Sequence, residues 1–176
     1  MDMIVVYETH FGQTREVAEA VADGARQAGA DAEAVELATA DPDVVARAGL
    51  LVVGAPTHVR GMSRPWTRGR AHAQEVGTQG EIPEGVREWL ATLPEVDGRP
   101  AAAFDTRLRS PAAGGAAHGM VRGLRRHGFT VIVDGEGFVV DGAEGPLGAG
   151  EADRARAWGR KLARTMTAPR RTEARP

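Results

Sequence analysis

The sequence predicts an α/β fold in which helices cover both faces of a parallel β-sheet. Short continuous apolar runs, Met3–Tyr7 and residues 50–54, are typical of strands that are buried on both faces. Longer segments with apolar residues at helical spacing separate these runs, as the crossover connections of parallel strands require. The length of 176 residues fits a single domain. We expect it at residues 1–167, followed by a disordered basic tail at 168–176.

The first half of the chain begins with the strand Met3–Tyr7, and TREVAEAVADGARQAG then predicts a helix that ends at Gly29. Residues 31–37, DAEAVEL, alternate weakly between apolar and polar and predict an edge strand. Asp41 is suited to cap a short helix with Pro42 at its first position. The first helix is expected to bury Val17, Ala20, Val21 and Ala25.

The second half continues the alternation. Its predicted elements are a strand at 50–54, a helix at 83–93, a strand at 99–106, a Gly-rich helix at 112–128, a strand at 129–142 that is broken near 135–137, and a last helix at 150–166. The two helices with clear apolar faces are expected to bury Val86, Trp89, Leu90 and Leu93, and Ala155, Trp158, Leu162 and Ala163.

In a fold of five such strand and helix pairs, we expect a ligand to bind at one edge of the sheet. Crossovers between parallel strands are right-handed, and ligands of these folds bind beyond the carboxyl ends of the strands, where the strand order reverses. The loops after Tyr7, Gly54 and Phe104 are therefore the candidate binding loops.

Composition excludes several classes of function. The chain has no Cys, which excludes disulfides, thiol catalysis and cysteine-ligated metal sites, and its formal net charge of -2 argues against general nucleic-acid binding. The histidines lack metal-ligand spacing. No apolar run reaches the ~18–20 residues of a membrane span, so a cytoplasmic protein is expected. Lys161 is the only lysine among many arginines, which indicates a GC-rich bacterial genome.

The loop after the first strand has the features of a phosphate site made from neutral donors. A loop that enters a helix directly presents free N–H groups and the positive end of the helix dipole. Thr9 and Thr14 add hydroxyls, and Gly12 permits a tight turn. With one Gly and no Lys, the loop fits dinucleotide and triphosphate motifs badly, so a phosphate monoester suits it better. The alternative is that the two threonines only cap the helix.

The same segment resembles the signature of the flavodoxin family. The matching residues are Val5, Val6, Tyr7, Thr9, Gly12, Thr14, Ala18 and Val21. The resemblance covers roughly residues 3–166 and implies a flavodoxin-like three-layer fold, with a five-stranded parallel sheet in the order 2-1-3-4-5. It also implies FMN as the cofactor. A deazaflavin with the same ribityl phosphate is a compatible alternative.

The resemblance implies three groups of cofactor-binding residues. The phosphate would lie in the first loop, the ribityl chain near the end of the third strand, and the isoalloxazine ring between the second and third loops. The residues concerned are Thr9, His10, Phe11, Gly12, Gln13 and Thr14 in the first group, Pro56 and Thr57 in the second, and His58, Val59, Arg60, Gly61, Met62, Asp105, Thr106, Arg107 and Leu108 in the third.

The loops around the ring depart from the family pattern. The third loop contains no aromatic residue, so one face of the ring would be open, and Trp66 is placed either to stack on the flavin or to cover the surface between arginines. Low-potential flavodoxins are acidic near the ring, whereas Arg107 and Arg109 are basic, with Asp105 as the main opposing charge.

These features predict an FMN-binding protein of electron transfer or oxidoreduction, whose partner is a redox protein or a small electron acceptor. One alternative is an NAD(P)H-dependent FMN or quinone reductase, in which Arg60, Arg64 and Arg68 would receive a phosphate of NAD(P)H. In the other reading of these arginines they form a solvated basic surface. A further alternative is a flavin-free binding or scaffold module with the same fold.

Overall fold

The computed structural model describes residues 1–57, 62, 85–109, 115–142 and 144–167. The strands in these ranges are β1 (Met3–Tyr7), β2 (Ala32–Glu36), β3 (Leu50–Pro56), β4 (Pro100–Leu108), β5 (Thr130–Val131) and β6 (Glu136–Val140). The helices are α1 (Gln13–Gln27), α2 (Pro42–Val45), α3 (Val86–Ala91), α4 (Ala116–Arg126) and α5 (Glu151–Thr167), with a 3-10 turn at Leu37–Thr39.

The strands form one parallel sheet in the order β2-β1-β3-β4-β5, and β6 pairs with the carboxyl half of β4. This confirms the predicted sheet and its strand order. The fifth position of the sheet is split between β5 and β6, as the glycines near its centre predicted. Ala101 pairs with Val131 and Phe104 with Glu136, so the fifth position has two residues more than β4 over this stretch.

Alternate residues of the strands enter two separate cores. Val5 and Val52 pack beneath α1 and α5, whereas Val6 and Val53 pack beneath α2, α3 and α4. This period of two is what a parallel sheet buried on both faces requires. The predicted inward faces are confirmed, because all of these residues are buried: Val17, Ala20, Val21, Ala25, Val86, Trp89, Leu90, Leu93, Ala155, Trp158, Leu162 and Ala163.

Helices α1 and α5 touch through their backbones. A Cβ atom added to Gly24 would lie 2.0 Å from the carbonyl oxygen of Arg156, and one added to Gly159 would lie 2.1 Å from the carbonyl oxygen of Val21. Both distances are far below van der Waals contact, so each glycine is required for this approach. The two helices therefore form a single layer on their face of the sheet.

Strand β4 is longer than the sequence predicted. The expected strand ended at residue 106, but Arg107 and Leu108 continue the ladder opposite Val139 and Val140 of β6. Asp105, Thr106, Arg107 and Leu108 therefore lie in a strand, and the expectation that a loop begins after Phe104 is wrong. The register of a split neighbouring strand, which lies about 30 residues away, determines where β4 ends.

Helix α2 begins as predicted. The Asp41 side chain caps it by accepting from the N–H groups of Asp43 and Val44, and Pro42 occupies its first turn. Within the described ranges, no helix is long and apolar enough to cross a membrane.

Candidate cofactor site

The loop between β1 and α1 lies where the strand order reverses. β1 has β2 on one side and β3 on the other, and the chain leaves β1 along β3, because the Glu8 N–H donates to the Gly54 carbonyl at 2.9 Å. The carboxyl ends of β1 and β3 thus lie side by side at the start of α1. This position is the usual ligand site of an open α/β sheet.

The start of α1 presents backbone donors without acceptors of its own. Gly12 is the N-cap residue with a φ of 90°, and the first intrahelical bond runs from the Glu16 N–H to its carbonyl at 3.0 Å. The helix therefore supplies no acceptor for the N–H groups of Gln13, Thr14 and Arg15. A Cβ atom at Gly12 would meet no atom within 4 Å, so the space beside the turn is open. The arrangement suits an oxyanion.

The two threonines of the loop do not cap α1. The Thr9 hydroxyl oxygen accepts from the Gly12 N–H at 3.1 Å, which tightens the turn and leaves the hydroxyl hydrogen available. The Thr14 hydroxyl lies 2.9 Å from that of Thr106 in a buried contact. Gly12 itself has no side chain that could cap α1, and the Thr9 contact uses the Gly12 N–H rather than those of Gln13 or Thr14. That both hydroxyls bind a ligand stays a prediction.

A buried carboxylate supports the loop from beneath. Glu8 is only 5% exposed, and its Oε2 accepts from the Val86 N–H at the start of α3 at 2.9 Å. Its Oε1 lies 3.2 Å from Nε2 of His10, whose side chain is also largely buried. The His10 ring therefore packs against Glu8. The sequence did not predict this role for Glu8, because its partner Val86 lies 78 residues away.

A second network joins β3 and β4 to the start of α4. Thr57 donates its N–H to the Thr106 carbonyl at 2.8 Å, and its hydroxyl oxygen accepts from the Ala116 N–H at 3.0 Å. Asp105 accepts from the Ala117 N–H at 2.8 Å. Side chains from two strand ends therefore satisfy the first donors of α4.

Asp105 is an internal charge of this network. Its side chain is fully buried, and its Oδ1 accepts from Nε of Arg107 at 2.5 Å. Burial raises the pKa of Asp105, against the opposing effects of the Ala117 N–H, the Arg107 guanidinium and the Thr57 hydroxyl. The structure places Asp105 beneath α4, where it neutralises Arg107.

The loop that follows β6 also reaches the candidate site. Nε2 of Gln13 donates to the carbonyl oxygen of Glu144 at 2.7 Å, so this side chain ties α1 to the loop. Phe11 is half-buried in the first loop, and Pro56 is half-buried at the end of β3. Leu108 is the last residue of β4, and 46% of its surface is exposed, so it presents an apolar side chain at this edge of the sheet.

Several predicted site residues lie outside the described ranges, namely His58, Val59, Arg60 and Gly61, together with Arg64, Trp66 and Arg68. Met62 is described, and it packs against α4: a Cβ atom added to Gly119 would lie 2.8 Å from its Cε. Within the described residues, no cluster of three or more His, Asp or Glu side chains is arranged to hold a metal ion.

Comparison with known proteins agrees with this geometry. The family model for flavodoxin matches residues 5–89, which include the first loop and the first residues of α3. This part of the chain is thus similar to the flavodoxin family, and the whole chain has the flavodoxin fold. Flavodoxins bind FMN and exchange electrons with redox partners, so the match supports FMN as the cofactor here, as the resemblance implied.

Solved flavodoxins share the whole fold at low identity. A flavodoxin from the domain Archaea has a TM-score of 0.68 and 21% identity, covering 96% of this chain and 100% of that one. Flavodoxin 1 from Bacillus cereus gives 0.66 and 14%, over 92% and 97% of the two chains. A short-chain flavodoxin associated with a non-canonical PDU bacterial microcompartment gives 0.70 and 17%, over 95% and 100%. None of the curated proteins matches.

The donors of the first loop fit the phosphate end of FMN. A phosphate monoester accepts hydrogen bonds only, and the first loop offers N–H groups of Gln13, Thr14 and Arg15 together with two hydroxyls. The open space beside Gly12 leaves room for the group. The Glu8 carboxylate would oppose an anion, but the Val86 N–H and the His10 ring lie against it and offset its charge.

Proposed function

We propose that this chain is a flavodoxin that holds FMN with its phosphate at the start of α1 and transfers electrons between redox partners. The observation that carries the proposal is the set of donors around Gly12, which has a φ of 90° and follows β1 at the point where the strand order reverses. The N–H groups of Gln13, Thr14 and Arg15 point out of the first turn of α1. A monoester dianion satisfies them without a lysine or a metal ion.

The remaining site residues are assigned by their position at the same sheet edge. Pro56 and Thr57 end β3 and lie beside the first loop, which suits them to the ribityl chain. Arg107 and Leu108 end β4, and their exposed parts suit the ring or a docking partner. When bound, FMN supplies a ring that accepts and releases one or two electrons. The chain positions this ring and sets the charge around it.

The positive charge of the arginines at the end of β4 favours a moderate rather than a very low reduction potential of the bound flavin. Asp105 is buried against Arg107 and so adds no free negative charge to the edge. Arg109 is exposed one residue beyond Leu108. A positive charge ~8 Å from the ring stabilises an anionic reduced flavin by roughly 2 kcal/mol at an effective dielectric constant of ~20, before salt screening. We therefore propose a small acceptor or an acidic partner protein as the redox partner.

The test compares FMN with riboflavin, which lacks the phosphate. Titration of each into the full-length chain, followed by flavin fluorescence and visible absorption, should show FMN binding at least about tenfold more tightly, because charge-assisted hydrogen bonds are lost with riboflavin. Equal affinities for FMN and riboflavin would show that the phosphate does not bind at the start of α1. If neither flavin bound, the flavin-free scaffold would replace this proposal, and bleaching of bound FMN by NAD(P)H would identify a reductase.

A further inference from the structure

A cavity of about 240 Å³ lies between α3 and α4, on the face of the sheet that carries α2. We call it the basic cleft. Its charged lining consists of Arg87, Arg122, Arg126 and His127, and its apolar lining includes Leu90 and Met62. No acidic side chain is among the described residues that line it.

The arginines of the basic cleft are not used elsewhere in the described structure. Arg87, Arg122 and Arg126 have no hydrogen bond or ion pair to any described residue, although Arg15, Arg154 and Arg156 all pair with carboxylates. Arg122 and Arg126 are four residues apart on α4 and share one face of the helix. Three exposed guanidinium groups thus line one cleft, and no carboxylate of the described residues pairs with any of them.

The fourth basic residue has a buried polar atom that lacks a partner. Nδ1 of His127 is buried and has no hydrogen-bond partner in the part of the chain that the structure describes. The Oε1 of Glu95 is 3.9 Å away, beyond hydrogen-bond distance, and Glu95 is largely exposed. The His127 ring therefore forms part of the cleft wall, and the three guanidinium groups supply its hydrogen-bond donors.

The basic cleft extends away from the proposed phosphate site, although Met62, which was expected near the flavin ring, lies on its wall. Helix α4 starts against Thr57 and Asp105 at the carboxyl edge of the sheet. It ends at the opposite edge, where the carbonyl of His127 accepts from the Val96 N–H ahead of β4. The cleft follows α4 from Gly119 to His127 and therefore extends away from the first loop.

We propose that the basic cleft binds a small organic phosphate. Arginine matches phosphate because its planar guanidinium donates two parallel hydrogen bonds to phosphate oxygens. A volume of about 240 Å³ exceeds the need of an inorganic ion, since one water occupies about 30 Å³ in the liquid. The surplus volume borders Leu90 and Met62, which suit the organic part. The negative end of the α4 dipole opposes an anion at His127, and Arg125 and Arg126 in the last turn offset it.

The test is an NMR titration of the full-length chain at saturating FMN, so that the cofactor site does not compete. Adenosine 5′-monophosphate, inorganic phosphate and adenosine are the probes. We expect saturable shifts of the Gly119, Gly123 and His127 amides with the monophosphate, weaker ones with inorganic phosphate, and none with adenosine. Shifts confined to Gly12 and Thr14 would assign the binding to the first loop and overturn the proposal, whether or not FMN itself binds.

Matched variants separate the cleft from general surface charge. The double variant Arg122→Gln, Arg126→Gln should weaken adenosine 5′-monophosphate binding by at least about tenfold, because two charge-assisted contacts are lost. Arg125→Gln removes a neighbouring charge of the same helix that does not line the cleft, and it should change the affinity by less than about twofold. Equal losses in both proteins, or absence of saturable binding in the wild type, would overturn the proposal.

Discussion

The hydroxyl oxygens of Thr14 and Thr106 lie 2.9 Å apart, and their contact joins the start of α1 to β4. Two hydroxyls carry two hydrogens, and only one is used between them. The other remains to bond with a third group. Two side chains that are 92 residues apart in sequence therefore act as one donor, placed beside the N–H groups of the first turn of α1.

The first prediction concerns the Thr14 hydroxyl. Thr14→Val keeps the shape of the side chain but removes its donor, so FMN affinity should fall by about 1–3 kcal/mol if the hydroxyl bonds to the phosphate. Quenching of FMN fluorescence on binding measures this change. Riboflavin affinity should be unaffected, because riboflavin has no phosphate.

Thr165→Ala is the control for this substitution. Thr165 is exposed, and its hydroxyl donates to the carbonyl of Lys161 at the end of α5, which lies beside Gly49 at the amino end of β3, so this variant should bind FMN as the wild type does. An unchanged FMN affinity in Thr14→Val would show that the phosphate lies elsewhere.

The second prediction uses two glycines with the same backbone conformation. Gly12 and Gly29 both have a φ of +90°, and a Cβ atom at either would meet nothing within 4 Å. Alanine at each should therefore lower the free energy of unfolding by a similar amount, about 1–2 kcal/mol, through backbone strain alone. Only Gly12→Ala should also weaken FMN binding, because only Gly12 shapes the donor loop.

Urea denaturation of both glycine variants without FMN, followed by FMN titration, tests this pair. Because the two glycines have the same φ, the two variants have similar backbone strain and differ only in their position relative to the first loop. If Gly29→Ala reduced FMN affinity as much as Gly12→Ala, the loss would reflect general destabilisation and the loop would have no special role.

The third prediction follows from the raised pKa of Asp105. Since the folded chain holds this proton more tightly than the unfolded chain, the stabilisation is fully present below the unfolded pKa of about 3.9 and is lost as the pH rises through the folded value. Asp105→Asn cannot titrate. The free energy of unfolding of the wild type, minus that of Asp105→Asn, should therefore decrease from pH 3 to pH 7, a range of about four units.

Chemical denaturation of both proteins at several pH values gives this difference directly. A difference that grows with pH would mean that Arg107 and the Ala117 N–H outweigh burial and lower the pKa of Asp105.

The fourth prediction concerns the buried Glu8 carboxylate. Glu8→Gln removes the carboxylate charge and leaves one acceptor oxygen where the wild type has two, so the Val86 N–H loses its charge-assisted bond and the His10 contact must adapt to an amide. We expect the free energy of unfolding to fall by about 1–3 kcal/mol. Glu19→Gln breaks an exposed pair with Arg15 and should cost less than about 1 kcal/mol. Similar losses in both variants would mean that Glu8 does not tie the loop to α3.

The sequence predicted those parts of the site that depend on neighbouring residues. The first loop was recognisable because a buried strand, Thr9, Gly12, Thr14 and a helix follow one another within 25 residues. The layers were predictable for the same reason, since apolar periodicity is local.

Long-range contacts explain what the sequence did not show. The roles of Glu8 and Asp105 depend on N–H groups of α3 and α4, and the end of β4 depends on the register of β6. A carboxylate in a strand carries no sign of the helix terminus it will meet. The split strand was predicted from its glycines, but not the two extra residues that shift its register.

The glycine contacts between α1 and α5 affect how strongly the donors at the start of α1 are preorganised for the cofactor. Gly24 and Gly159 let the backbones of α1 and α5 touch, so a shift of α1 toward a ligand would have to carry α5 with it or break this contact. The donors at the first turn of α1 are therefore oriented before any anion arrives, and little conformational entropy remains to be lost on binding. We therefore expect the phosphate site to be preorganised, with conformational change on FMN binding limited to the loops around the ring.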